Sequence, residues 1–140
     1  MPQKKWPWTD IYQPNAVYNT NAATAATTLT AAELTGGFSK VVLALTGALA
    51  AAANATTDTA ANIFAAIPQG QAYVGYSYVL RIINESSGAF AWTVVGGTGV
   101  TVTGTATIAQ DTWRDFLVTV TAVGSAPTIT LQNVGTGTYS

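Results

Sequence analysis

Six carboxylates, Asp10, Glu33, Asp58, Glu85, Asp111 and Asp115, are the side chains of this 140-residue sequence best suited to acid–base chemistry. A glycosidase-type mechanism needs two of them facing one another across a cleft. Only Asp111 and Asp115 are close in sequence. They flank Arg114 near the start of an expected strand, where a turn carboxylate and a cross-strand ion pair are the ordinary arrangement. Asp10, Glu33 and Asp58 read as turn and cap residues, because no calcium-loop spacing surrounds them. The sequence has no cysteine and no histidine, which removes disulfides, thiolate nucleophiles, imidazole bases and the usual zinc, copper and haem ligands. The expectation is therefore no catalytic residue, no metal and no cofactor.

Two further patterns resemble functional motifs and are set aside. Gly96-Gly97-Thr98-Gly99 looks like a phosphate-cradling loop, yet it lacks the Lys-Ser/Thr ending and leads into a strand instead of a helix N-terminus. It is read as a turn. Asn54-Ala55-Thr56 and Asn84-Glu85-Ser86 match the glycosylation acceptor pattern, but the first residues lack the apolar region of a signal peptide, so the match is discounted.

Binding is the other chemistry available. Lys4, Lys5, Trp6, Trp8 and Tyr12 cluster in a segment punctuated by Pro2, Pro7 and Pro14. Proline removes backbone donors and holds its neighbours extended, so residues 1–22 read as an aromatic N-terminal arm. Such an arm could anchor at a membrane interface, stack on sugars or single-stranded nucleic acid, or dock on another protein. Two lysines fall short of a polybasic anchor, and proline prevents the amphipathic helix that adsorption to lipid requires. Protein docking fits best, because Trp and Tyr bury large areas at low rotamer cost. Packing of the arm on its own domain is the alternative. Trp92 reads as core, whereas Trp113 shares an outward strand face with Leu117 and is expected at an oligomer contact.

Composition agrees with a binding role. Charged residues make up 8% of the chain, and alanine (25) and threonine (24) dominate it. A net charge of -1 gives no electrostatic footprint for nucleic acid. The longest apolar run, residues 41–53, is broken at Thr46 and Gly47 and is shorter than the ~20 residues of a spanning helix, so no membrane partner is expected.

The elements that would position these residues are mostly strands. Thr30 and Glu33 stand at capping-box spacing ahead of Gly36-Gly37, which predicts one short helical turn. Asp58 is the expected N-cap of a helix over 59–67 that Pro68 ends. From Tyr73 onward the period is two. Residues 76–84 and 90–94 are expected to pair as a hairpin across Asn84–Gly88, and Phe116, Val118 and Val120 to face opposite to Trp113, Asp115 and Leu117. Val100 and Val102 alternate with an outward threonine ladder, and Pro127 opens a last strand with Ile129 and Leu131 inward. The fold class expected is all-β: an antiparallel jelly-roll-like sandwich over residues 23–140, with one short helix and the extended arm.

Three segments, TLTAAELTGGF (28–38), TDTAANIFAAIP (57–68) and the run from Val74 to Thr121, together resemble the β-domain of head-fibre and capsid decoration proteins of tailed bacteriophages. The likeness spans residues 24–133, and the chain is most similar to the small cement proteins of the Bordetella phage type. What the resemblance implies is a structural, non-enzymatic protein, made in the bacterial host cytoplasm and carried on the outer capsid surface of the virion. Its implied partners are the major capsid protein and further copies of itself, as a dimer or trimer. A head-fibre or receptor- and glycan-binding module, using Tyr73, Trp113 or Tyr139 as sugar platforms, is the alternative.

Overall fold

The computed structural model describes residues 14–68 and 71–139. The described residues form β1 (Ala16–Asn21), β2 (Thr27–Leu29), α1 (Ala31–Leu34), β3 (Lys40–Leu45), β4 (Ala53–Thr57), α2 (Ala60–Ala66), β5 (Ser77–Asn84), β6 (Trp92–Val95), β7 (Val100–Thr103), β8 (Thr107–Ile108), β9 (Thr112–Ala122) and β10 (Thr128–Thr138). The chain is mostly β, as its composition predicts. One sheet has the order β1-β3-β5-β9-β10-β7, the other β2-β4-β6-β8.

Both sheets are mixed, which corrects the antiparallel expectation. From β1 to β6 the chain passes to the opposite sheet at every step, so neighbours within a sheet are alternate strands of the sequence and run the same way. β1, β3 and β5 are mutually parallel, as are β2, β4 and β6. The result is a flattened coil of three turns. Only β9 and β10 pair as sequence neighbours, antiparallel.

The expected hairpin between β5 and β6 is instead a corner joining the two sheets. Asn84, fully buried, donates from Nδ2 to the carbonyls of Phe90 (3.0 Å) and Ile108 (2.9 Å) and accepts from Ser86 N at 3.0 Å. Ser86 Oγ in turn accepts from Leu49 N and Gly88 N. These side chains replace the ladder bonds that a hairpin would have supplied, which lets a loop backbone lie inside. Burial also takes Asn84 out of reach of any modifying enzyme in the folded protein.

The N-terminal boundary moves as well. Ala16–Asn21, expected to belong to the arm, forms an edge strand beside β3. Proline punctuation stops at Pro14, and an edge position asks for pairing on one side only. Residues 1–13, with Lys4, Lys5, Trp6, Trp8 and Tyr12, lie outside the described residues.

Both helical signals hold, with one exchange of roles. Thr30 caps α1 in a full capping box with Glu33. At α2 the N-cap is Thr59, not Asp58. Asp58 instead accepts from Thr59 N (2.8 Å), from Asn62 Nδ2 (2.7 Å) and, across the coil, from Ala31 N (3.0 Å). The two sites repeat one device: TTLTAAEL (27–34) and TTDTAANI (56–63) each run strand, threonine cap, helix and a buried aliphatic residue, Leu34 or Ile63. The first free N–H of each helix is taken by the next turn of the coil, Ala31 by Asp58 and Ala60 by the Thr98 carbonyl.

Both sheets feed one core. Leu43, Leu80, Ile82, Phe116 and Ile129 come from the larger sheet and Leu29, Trp92 and Ile108 from the smaller, all buried. Trp92 is core, as read from the sequence. Tyr78 reaches across to donate to the Leu34 carbonyl at 2.7 Å, and burial raises its phenol well above the ordinary range.

Candidate docking face

The outer face of the six-stranded sheet carries the side chains that matter. Strict alternation along β5 turns Tyr78, Leu80 and Ile82 inward and leaves Val79, Arg81 and Ile83 half-buried on the outside. β9 does the same, burying Phe116, Val118 and Val120 while Trp113, Asp115 and Leu117 remain outside. Register then fixes the outer rows. One runs Lys40, Val79, Leu117, Gln132; the next Tyr18, Val42, Arg81, Asp115, Gly135; the third Ile83, Trp113, Gly137.

Arg81 and Asp115 are directly opposed across β5 and β9 and form a two-pronged ion pair, with Nε to Oδ1 at 2.8 Å and Nη2 to Oδ2 at 2.9 Å. The cross-strand ion pair expected around Asp115 thus exists, with Arg81 as its cation. Arg114 points elsewhere and donates to the Thr107 carbonyl. Donation to the Asp115 carboxylate holds the Arg81 guanidinium above its ordinary pKa, against the opposing effect of burial. The same guanidinium lies 3.7 Å from the centre of the Trp113 ring, a cation–π contact of about 0.5–2 kcal/mol.

Below Trp113 is a glycine for a steric reason. A Cβ on Gly137 would run into Cζ2 and Cε2 of the indole, so only a bare backbone lets the ring lie flat against β10. Gly137, Trp113, Arg81 and Asp115 therefore stack as a layered unit whose charges cancel. Its rim is apolar, from Val42, Val79, Ile83 and Leu117. Trp113 and Leu117 do share this face, two rows apart. The sequence reading missed Arg81 and Gly137; the aromatic two residues before Asp115 and the glycines at 135 and 137 were the available signals.

No constellation for catalysis assembles among the described residues. Glu33 is held in its cap and accepts from Asn21 Nδ2 at 2.7 Å. Asp111 sits in a turn at φ 57°, donating its N–H to the Asn84 carbonyl. No group of three His, Cys, Asp or Glu that could hold a metal ion occurs among these residues. Two shallow depressions, of about 420 and 370 Å³, are lined by alanines, threonines and loop backbone with no titratable side chain. Nor do the proposed sugar platforms converge. Tyr73 lies before the start of β5, whereas Trp113 pairs with Ile83 near its end and Tyr139 donates to the Asn84 carbonyl there. At a rise of about 3.3 Å per residue, that is roughly 25 Å along the strand.

Against known protein families, curated proteins and solved structures, the chain has no match.

Proposed function

We propose that the protein is a structural virion component that binds the outer surface of an assembled phage capsid as a homo-oligomer and stabilises it by bridging neighbouring major capsid subunits. The observation that carries this reading is the outer face of the six-stranded sheet. It is a broad surface built on Trp113, Arg81 and Leu117, in which Asp115 neutralises Arg81 and Lys40 stands in an outer row; of these residue types Trp and Arg dominate the energetics of protein interfaces. Low overall charge suits a surface meant to be covered. Glu33, Asp58 and Asp115 are tied into caps and an ion pair, which favours a passive role over proton transfer. On this reading the two-sheet body is the jelly-roll-like part, Trp113 and Leu117 contact another copy once copies sit side by side on the shell, and Lys4, Lys5, Trp6, Trp8 and Tyr12 dock as an arm on the capsid protein.

Linkage supplies the energetic rationale. A binder that recognises only the assembled lattice stabilises it by about 2.7 kcal/mol per site at a hundredfold excess over Kd. An oligomer with several feet gains further from effective concentration.

Co-sedimentation with undecorated heads of the phage that encodes the chain tests the proposal. The full chain should pellet with the heads in a saturable manner. Removing residues 1–13, which leaves β1 in place, should abolish pelleting, and Leu117→Lys should weaken it at least tenfold. A full chain that stays in the supernatant refutes the reading, and undiminished pelleting without residues 1–13 refutes the arm. Saturable binding to host surface polysaccharide with no affinity for heads would replace it by the glycan-binding alternative.

A further inference from the structure

Every open sheet has two edges, and here they are β1 and β7 in the larger sheet, β2 and β8 in the smaller. An edge strand presents unpaired N–H and C=O groups, and proteins usually guard it by shortness, charge, proline or a bulge. β8 has two residues and β2 three. β7 has four, bounded by Gly99 and Gly104, both at positive φ. β1 is six residues long, reads AVYNTN, and has neither charge nor proline. It is the one unguarded edge among the described residues.

Its outward groups can be named. Ser39 N, just before β3, and Lys40 N at its start donate to the Asn15 carbonyl, and Thr46 N, just after it, donates to that of Asn21. Backbone groups alternate in direction along a strand, so odd-numbered residues turn theirs toward β3. Ala16, Tyr18 and Thr20 turn theirs outward, and among the described residues none of them has a backbone partner on that side. Tyr18 is also one of the most exposed large side chains, at 59%.

We propose that β1 pairs antiparallel with β1 of a second copy about a two-fold axis at Tyr18, joining two six-stranded sheets into one continuous sheet. Tyr18 then stands opposite its own copy, and Ala16 opposite the partner's Thr20. Each opposed pair exchanges both of its N–H···O bonds. The edge is complementary to itself on three counts. It is uncharged, so no like-charge pair arises at the axis. Its outward residues flanking Tyr18 are small, which leaves room for two phenol rings side by side. The pairing is also isologous and closes, whereas joining β1 to β7 of another copy would run on into filaments. The two outer faces become one surface of twice the width. The pairing concerns the edge and holds whatever that surface binds.

The chain has no cysteine, so single cysteines report the register cleanly. At a hydrogen-bonded antiparallel pair the two Cα atoms lie about 5.5 Å apart, inside the span a disulfide bridges. Under mild oxidation the full-length Tyr18→Cys variant should form a covalent dimer. Thr20→Cys, exposed on the same strand but opposite Ala16, should remain unlinked. Thr20→Pro removes an outward N–H that bonds nothing within the protomer, so it should keep the wild-type circular dichroism while sedimenting as a monomer. The wild-type chain should sediment as a dimer at the same concentration. A monomeric wild type, which is also the result if another segment of the same chain fills the edge, overturns the proposal. So does equal cross-linking of the two cysteine variants, or a dimer indifferent to Thr20→Pro. Should the proline variant fail to fold, the cysteine pair decides alone.

Discussion

Asn84→Asp changes one atom at the corner between the sheets and should be among the most damaging isosteric substitutions in the protein. The Asn84 amide gives its two hydrogens to the Ile108 and Phe90 carbonyls at 2.9 and 3.0 Å while its oxygen accepts from Ser86 N. Aspartate keeps the acceptor and puts a second oxygen against both carbonyls. Each buried acceptor left without a donor costs about 1–3 kcal/mol, so with two of them the loss at neutral pH should be about 2–6 kcal/mol. That is a large part of the ~5–15 kcal/mol that stabilises a typical domain. Urea unfolding followed by circular dichroism reads it as a midpoint lowered by roughly 1–2 M at unchanged slope. Burial against carbonyls disfavours the charged form and raises the introduced carboxyl's pKa above its unfolded value. The native state then binds the extra proton, so the loss should be smallest in acid and grow as pH rises through the raised pKa. A variant within about 0.5 kcal/mol of wild type at pH 7 would refute the corner's role. A gap that fails to narrow on acidification would refute its electrostatic cause.

Tyr78→Phe strips the buried Leu34 carbonyl of its donor and should cost about 1–3 kcal/mol in the same urea assay, with the fold unchanged. Asp58 is held below its ordinary pKa of 3.8, first by the Asn62 side chain and then by Thr59 N. A depressed folded pKa adds stability that is present above the ordinary value and lost as pH falls through the folded one. Asp58→Ala should therefore lower the melting temperature at pH 7 and flatten the wild-type decline below about pH 4; parallel pH curves for the two proteins would count against it. Gly137→Ala should push the indole off β10 and break the Arg81 stack, costing about 1–3 kcal/mol and altering the near-ultraviolet dichroism. An unaltered spectrum would mean that the ring does not rest on Gly137.

Much of the candidate face was legible before any coordinates. Two-residue periodicity placed Trp113 and Leu117 together on the outward side of β9 and Phe116, Val118 and Val120 in the core, and it held. Missed was the repeat of TTLTAAEL as TTDTAANI, which marks successive turns of the coil and argues against consecutive strands pairing as hairpins. The cross-strand ion pair at Asp115 was expected too, but not its cation: a strand turns adjacent residues to opposite faces, which separates Arg114 from Asp115 and leaves Arg81 on β5 as the partner.

By itself the sequence determined what depends on residues within a turn or two of chain: the strand faces, the Thr30–Glu33 cap, the stop at Pro68, and the lack of thiol and imidazole chemistry. Tertiary structure alone decided which sheet each strand enters, that Asn84 lies inside a corner, and that Arg81 covers Trp113 above Gly137. The reason is physical. Side-chain alternation and helix caps are fixed by local backbone geometry, but β1 meets β3 and β3 meets β5 across separations of 24 and 39 residues. Those pairings are chosen by how the whole set of apolar faces closes around one core, a choice that no local window of residues contains.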